Sequence, residues 1–268
     1  MRKNAWVICC CTAVLAAFGT FFRWLQDQVC FEAETGLAVR GSIWPYAVAL
    51  MIVIAAVVLA VVCFRMKNQP HTSFPDSLPA AFAAAPRVRT IGGVVLGALL
   101  AVGGAWLMIS SGTLSSPGLQ RVLAVLAIVT GAAFARQMLA PGDAEATSGA
   151  VVCASMPIVL LAFWLIVSYK VNIINPTISA YAVEILALCA ALIAFYELAG
   201  FAYGRPKAIK SIFWSQFAAF LCITALPDDR TGGQQLMLAA IAGILVFQSY
   251  LTASNIRPAV SGPVGGVQ

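Results

Sequence analysis

The fold class of this chain is decided by residues 44–64, which read WPYAVALMIVIAAVVLAVVCF. This stretch contains no charged residue and is as long as the roughly 20 apolar residues that a helix needs to cross the hydrocarbon core of a bilayer. Its second residue, Pro45, suits the first turn of a helix, because the backbone N–H that proline lacks has no partner there. The segment therefore predicts a transmembrane helix.

The composition of the whole chain extends this prediction to the rest of the protein. Of its 268 residues, 61% are hydrophobic and only 10% are charged, and the mean hydropathy is +0.92. A soluble domain is about half apolar and about a quarter charged, and a soluble fold of this length cannot hide so much apolar surface. These numbers exclude a soluble enzyme, a disordered regulator and a disulfide-stapled secreted domain. They predict a polytopic membrane protein.

Apolar segments of similar length recur along the chain, so the sequence predicts an all-α transmembrane bundle of about eight membrane-spanning helices. The first segment follows two basic residues as a secretory signal does, but it is long for such a signal and no A-x-A cleavage site follows it, so we expect a retained helix. One domain then covers residues 1–256, and the Gly- and Pro-rich residues 257–268 are expected to form a disordered cytoplasmic tail. The predicted spans are residues 5–23, 44–64, 90–111, 119–140, 150–169, 177–202, 211–227 and 233–253.

The distribution of Lys and Arg between the connections predicts the orientation of the bundle. With the N-terminus in the cytoplasm, ten of these residues fall on the cytoplasmic side and five on the other side, as the positive-inside rule requires. An even number of crossings returns the C-terminus to the cytoplasm. The net charge of +6 is then explained by loop topology. We expect a multi-pass protein of the plasma (inner) membrane that contacts the lipid bilayer and no nucleic acid.

Three charged residues lie inside the predicted spans and away from the first and last three residues of each span, in positions where ionisable groups are costly and mark candidate functional sites. Arg136 and Glu197 both lie about 10 Å to the cytoplasmic side of their segment midpoints, so one hypothesis is an intramembrane ion pair between them. Glu184 lies about 8 Å to the outer side, and Tyr181, three residues earlier, shares its face. We predict that Glu184 and Tyr181 contact a substrate or ion. The alternative is that Glu184 bonds a neighbouring hydroxyl or Arg121.

Acidic residues form two groups in the predicted outer loops. Their spacing matches no calcium-binding loop such as the EF-hand, so we interpret them as solvated acidic loops. No metal-binding, cofactor-binding or catalytic motif is present: the sequence contains no H-E-x-x-H, no G-x-S-x-G and no Walker A pattern. We therefore predict no metal, no cofactor and no catalytic residue. The two acidic groups are Asp27, Glu32 and Glu34, and then Asp228 and Asp229.

Packing signals lie in the third segment and in the connections. The small-x-x-x-small pattern at Gly93 and Gly97 permits close contact between helices, and we interpret it as packing within the bundle. Mostly short connections predict that sequential helices pack side by side in antiparallel pairs. In the longer connection between the second and third spans, residues 78–85 are compatible with a short helix at the membrane interface.

The N-terminal part of the chain carries one resemblance. The sequence RWLQ at residues 23–26, followed by FEAETGL at residues 31–37, resembles a segment of uncharacterised bacterial multi-pass integral membrane proteins. The resemblance covers roughly residues 1–45. It implies a multi-pass membrane protein and no particular activity.

Three hypotheses for the function follow from these features. The first, which we favour, is a small-solute transporter or the membrane subunit of a transport complex, because charged residues lie inside a helical bundle with small-residue contacts. In either case the ligand is a small molecule or ion. If the protein is a subunit of a transport complex, it also has a partner membrane subunit. The second hypothesis is a non-catalytic sensory, scaffold or assembly protein. The third is a membrane-embedded lipid-modifying enzyme, which the missing catalytic motifs disfavour.

Overall fold

The computed structural model describes residues 2–30, 42–68, 72–114, 116–139, 148–173 and 178–258. These residues are almost entirely helical, which confirms the predicted all-α polytopic bundle. Three features of the sequence lie outside the described residues: the acidic residues Glu32 and Glu34, the FEAETGL segment at 31–37, and the predicted tail from residue 259 onward. The first two residues of the predicted tail, Arg257 and Pro258, are described, and they pair with Ser73 and Thr72.

The described residues form seven helices that are long and apolar enough to cross a membrane, together with one shorter apolar helix, Ala208–Thr224. A 3₁₀ turn (Ser111–Thr113) follows the helix Pro86–Ser110, and the two-residue strands β1 (Thr72–Ser73) and β2 (Arg257–Pro258) pair in antiparallel fashion. In chain order the helices are α1 (Arg2–Cys30), α2 (Trp44–Lys67), the single turn α3 (Leu78–Ala81), α4 (Pro86–Ser110), α5 (Pro117–Leu139), α6 (Ser148–Asn172), α7 (Ile178–Ala202), α8 (Ala208–Thr224) and α9 (Gly232–Ser254).

Helix α1 is longer than predicted. The predicted first span ends at Arg23, but the helix continues to Cys30. Arg23 is only 1% exposed, and its Nη1 donates to Oε1 of Gln26, one turn further along the helix, at 2.9 Å. Polar partners within the fold, Gln26 and Asp228, therefore bind the Arg23 guanidinium within the continuing helix.

Helices α4 to α9 form a closed ring. Each helix packs against the next one in the chain, and α9 closes the ring by packing against α4. Helices α1 and α2 pack against each other and against α8, on the outside of the ring. The predicted packing of sequential helices is thus confirmed for α1 with α2 and for α4 through α9. The closure between α9 and α4 is a contact that chain order does not indicate.

Helix α8 is short, but its contacts extend from one end of the bundle to the other. Its 17 residues span about 26 Å, somewhat less than the roughly 30 Å hydrocarbon core. Near its start, Ile212 belongs to a buried cluster with Ala5 of α1 and Cys63 of α2. Just after its end, Asp228 accepts a bond from Arg23 near the end of α1. Helix α8 and the turn that follows it therefore cover the same thickness as the longer helices.

The helix ends fall into two sets because α8 crosses the bundle. One set, which we call the ladder end, contains the β1–β2 pair, the start of α1 and the ends of α2 and α9. The opposite set, the Asp228 end, contains the end of α1 and the turn from α8 to α9. At the ladder end α3 packs onto the bundle: Ala81 is buried, and its carbonyl oxygen accepts a bond from Asn255 Nδ2 at 2.9 Å. The helix expected within residues 78–85 is therefore one turn long and lies against the protein.

Small residues bring α4 close to α5 and α9. A Cβ built on Gly97 would lie 2.5 Å from the carbonyl oxygen of Gly131 on α5. A Cβ on Gly233 of α9 would lie 2.6 Å from the backbone nitrogen of Leu107. Gly93, the other member of the predicted pattern, lies against Met138 of α5, so the pattern packs within the bundle as interpreted.

The variant Gly131→Ala is expected to destabilise the protein. The new methyl group would overlap the carbonyl oxygen of Gly97, a backbone atom that cannot rotate away, and overpacking of this kind costs about 1–3 kcal/mol. Thermal unfolding of the purified protein in detergent measures the effect. Gly118→Ala on the same helix is the matched control, since a Cβ there meets no described atom within 4 Å. Equal melting temperatures for the two variants would contradict the close α4–α5 contact.

Candidate functional site

A polar cavity of about 320 Å³ lies at the Asp228 end of the bundle. Its walls come from α1, α5, α6, α7, α9 and the turn between α8 and α9, so it occupies the mouth of the helix ring. We call it the mouth cavity. Its lining residues are Asp27, Gln120, Trp164, Val167, Ser168, Val171, Asn172, Tyr181, Glu184, Asp228, Asp229, Arg230 and Gln234.

A row of four buried charged side chains, Arg23, Asp228, Arg230 and Glu184, runs along the wall of the mouth cavity. Arg23 Nε donates to Asp228 Oδ1 at 2.7 Å, and Arg230 Nη2 donates to Asp228 Oδ2 at 2.7 Å. Arg230 Nε lies 3.4 Å from Glu184 Oε2. We call this row the charge row. Because its charges alternate in sign, attraction between neighbours offsets part of the cost of burying each one.

Glu184 is held less tightly than Asp228. Its side chain is 10% exposed, against 7% for that of Asp228, and its 3.4 Å contact with Arg230 is long beside the two 2.7 Å bonds of Asp228. The hydroxyl of Ser168 and the indole N–H of Trp164, both on α6, also interact with this carboxyl. Since a carboxylate offers about four acceptor positions, Glu184 retains capacity to bond a molecule in the cavity.

The structure brings together the two residues that the sequence predicted to contact a substrate or ion. Tyr181 and Glu184 line the same cavity, because α7 places them one turn apart on one face. The ionic partner of Glu184 is Arg230, whereas Arg121 Nε donates to the hydroxyl of Ser111 at 3.4 Å. Contact between this pair and a substrate or ion stays a prediction.

Arg136 and Glu197 lie away from the mouth cavity. Arg136 is exposed in the last turn of α5, beside Gly149 at the start of α6. Glu197 is half-buried on α7, about 20 Å along the helix from Glu184. Among the described residues, the side chains joined in ion pairs are those of the charge row, and Arg136 and Glu197 are not brought together. Their pairing stays a prediction, and a double-mutant cycle of Arg136→Gln and Glu197→Gln tests it.

The interpretation of Asp228 as a solvated acidic residue is wrong. Its side chain is 7% exposed and accepts bonds from two guanidinium groups, while its neighbour Asp229 is exposed as expected. Arg23 lies 205 residues away in the chain, so local sequence does not reveal the partner. The available signal was Gln26, one helical turn after Arg23, which marks a polar face on α1.

Sequence reasoning also missed the polar face of α6. Trp164, Ser168 and Asn172 recur every four residues, which places all three on one side of the helix, and all three line the cavity. Asn172 Nδ2 donates to the carbonyl oxygen of Ser168 at 2.9 Å. This spacing is visible in the sequence. A search for charged residues inside the spans does not find it, because Trp164, Ser168 and Asn172 are uncharged and most residues between them are apolar.

The interior of the ring becomes apolar below the mouth cavity. A void of about 10 Å³ lies there, and its walls include Phe134 of α5, Phe195 of α7 and Ile241 of α9. Helix α6 contributes residues 164–172 to the cavity and residues 157–161 to the void, so the void lies near the middle of this helix. Such a volume holds one water molecule at most. The side chains around the void therefore form an apolar layer beneath the cavity.

No protein family, curated protein sequence or solved structure matches this chain. Its own fold and site therefore define its class: a polytopic helical membrane protein with a charged cavity at the mouth of a ring of six helices.

The variant Asp228→Asn is expected to destabilise the fold strongly. It removes the negative charge that Arg23 and Arg230 share. Removing one partner of a buried ion pair lowers the free energy of unfolding by about 3–5 kcal/mol, because the other charge is left buried without a partner. The midpoint of denaturant-induced unfolding measures the loss. Asp229→Asn is the matched control: the residue is adjacent and exposed, and surface substitutions change stability by about 0.5 kcal/mol or less. Equal midpoints for the two variants would contradict the structural role of Asp228.

Proposed function

We propose that this protein is a small-solute transporter, or the membrane subunit of a transport complex, and that its solute binds in the mouth cavity. The observation that carries the proposal is Glu184, a carboxyl buried in an apolar bundle at the wall of a cavity of about 320 Å³. This volume falls at the lower end of the roughly 300–1,000 Å³ of small-molecule sites. Ionisable groups in such positions mark substrate and ion pathways in membrane proteins.

The arrangement of the ring interior supports passage of a solute across the membrane. The polar cavity lies at one end of the ring and the apolar layer lies beneath it. At the ladder end, Leu78 of α3 packs against Ala154 of α6 and Ala199 of α7. A solute in the cavity therefore reaches the other side only if helices separate at the apolar layer. Pro157 lies inside α6 at this depth, where the missing backbone N–H weakens the helix and allows it to bend.

We also propose that the ladder end faces the cytoplasm and that the protein lies in the plasma (inner) membrane. Basic residues cluster at this end of the bundle: Arg65 and Lys67 end α2, and Arg205 and Lys207 precede α8. The positive-inside rule places such connections in the cytoplasm. The mouth cavity then faces the outside, so it receives solute from there.

Reporter fusions test this orientation. Green fluorescent protein at the C-terminus is expected to fluoresce, because it folds in the cytoplasm. Alkaline phosphatase fused after residue 230 is expected to be active, and the same enzyme fused after residue 206 to be inactive. The reverse pattern would contradict the proposed orientation, and equal activity of the two phosphatase fusions would contradict the crossing of α8.

Uptake into proteoliposomes tests the transport proposal. Vesicles containing the purified protein are incubated with a defined mixture of small metabolites, and their contents are measured by mass spectrometry. We expect at least one solute to accumulate with the wild type and not in protein-free vesicles. Glu184→Gln is expected to lower this uptake tenfold or more, since hydrogen bonds to charged groups contribute about 1.5–3 kcal/mol.

Glu197→Gln is the matched control, because Glu197 lies on the same helix and does not line the cavity. This variant is expected to retain wild-type uptake. If no solute accumulates with the wild type, or if Glu184→Gln transports as the wild type does, the transport proposal fails. A partner protein that co-purifies with a transport-silent wild type would instead support the sensory or assembly function.

A further inference from the structure

We propose that the solute of the mouth cavity is a small organic cation whose primary ammonium group binds Glu184; this inference rests on the function proposed above. The charge of the lining points to a cation. Four carboxyl groups line the cavity against one guanidinium, that of Arg230. Counting Arg23 as well, which bonds Asp228, the carboxyl groups still outnumber the guanidinium groups by two. An excess of one sign in a low-dielectric cleft concentrates ligands of the other sign.

Arg230 is poorly placed to bind an anionic solute, because its own contacts within the protein already occupy it. Its Nη2 donates to Asp228 at 2.7 Å and its Nη1 donates to the carbonyl oxygen of Ala225 at 3.0 Å. Its Nε faces Glu184. A carboxylate or phosphate ligand would have to draw the guanidinium away from these buried partners, which is costly.

Glu184 is the carboxyl with capacity to spare. Both oxygens of Asp228 are bonded to guanidinium groups at 2.7 Å, whereas Glu184 has one longer ionic contact of 3.4 Å. That contact shows that a cationic N–H group fits beside Glu184. An ammonium group in the cavity can take this place while Arg230 keeps its two shorter bonds.

The neutral groups around Glu184 suit an ammonium group in particular. A primary ammonium group has three N–H donors, and the lining offers the Glu184 carboxyl, the Ser168 hydroxyl and the amide oxygen of Asn172. The amide nitrogen of Asn172 is engaged by the Ser168 carbonyl, which leaves its oxygen for a ligand. Tyr181 adds aromatic surface to the lining, and aromatic rings attract cations within about 6 Å of the ring centre.

A metal ion fits the site less well than an ammonium ion. In the part of the chain that the structure describes, no three His, Cys, Asp or Glu side chains are grouped closely enough to hold a metal. The positive charge of Arg230 beside Glu184 also repels a compact divalent ion more strongly than a monovalent organic one. The volume of the cavity, about 320 Å³, leaves room for the carbon skeleton of an amine.

Ligand-induced thermal stabilisation of the purified full-length protein tests the inference. The probes are ethylamine, butylamine and 1,4-diaminobutane, with 1-butanol and butyrate as the neutral and anionic counterparts of butylamine. We expect at least one amine to raise the melting temperature in a concentration-dependent way and the two counterparts to leave it unchanged. Glu184→Gln is expected to weaken amine binding at least tenfold, and Glu197→Gln to bind as the wild type does.

A second pair of variants fills the cavity and leaves the charge row in place. Val171→Trp introduces a large side chain into the lining of the mouth cavity, while Val159→Trp places the same side chain on the exposed face of α6, away from it. Amine binding is expected to be lost in the first variant and kept in the second. Amine binding that survives in Val171→Trp or in a folded Glu184→Gln would overturn the inference.

The outcomes separate this inference from the function on which it rests. If butanol or butyrate binds and Val171→Trp abolishes that binding, the cavity takes a solute of another class, and the inference falls while the proposed function stands. The same holds if the solute that accumulates in proteoliposomes carries no positive charge. If no probe binds and no metabolite accumulates, both the inference and the proposed function fail.

Discussion

The buried pair between Arg23 and Asp228 is the interaction on which the rest of the site depends. Burying a lone guanidinium or carboxylate inside a membrane protein costs several kcal/mol, so neither residue is stable there without the other. Their 2.7 Å bond ties the end of α1 to the turn after α8. With one oxygen occupied by Arg23, Asp228 uses the other to orient Arg230, and Arg230 in turn reaches Glu184. The position of Glu184 at the cavity wall is thus supported by a row of charges that begins on a helix outside the ring.

This arrangement divides the bundle into a structural part and a part available for binding. Asp228 has both oxygens engaged and belongs to the frame, whereas Glu184 at the far end of the charge row keeps acceptor capacity toward the cavity. Beneath the cavity, the apolar layer around the void near Phe134 and Phe195 separates the polar mouth from the ladder end. A polar site above an apolar layer suits the proposed transport, because the layer blocks the passage of a solute while the helices stay packed.

Several elements of the site were predictable from local sequence. The depth of Glu184 and its position on the same face as Tyr181 follow from helical geometry within one span, and the structure brings both to one cavity. Depth alone is insufficient for residues on different helices: the sequence predicts similar depths for Arg136 and Glu197, but the direction in which each side chain points depends on how α5 and α7 are rotated about their axes. The burial of Asp228 was missed for a related reason, since its partner lies 205 residues away and the pair forms only when α8 packs beside α1.

The sequence by itself determined that this protein is a polytopic bundle of membrane helices, because 61% hydrophobic residues in segments long enough to span a bilayer leave no other stable fold. It also determined where the costly polar groups lie along each helix, since helical rise converts residue number into depth. The tertiary structure alone decided which of those groups meet. It closed α4 through α9 into a ring, turned Asp228 inward and placed Arg230 beside Glu184, because the pairing of charges across helices depends on helix rotation and packing, which no single segment encodes.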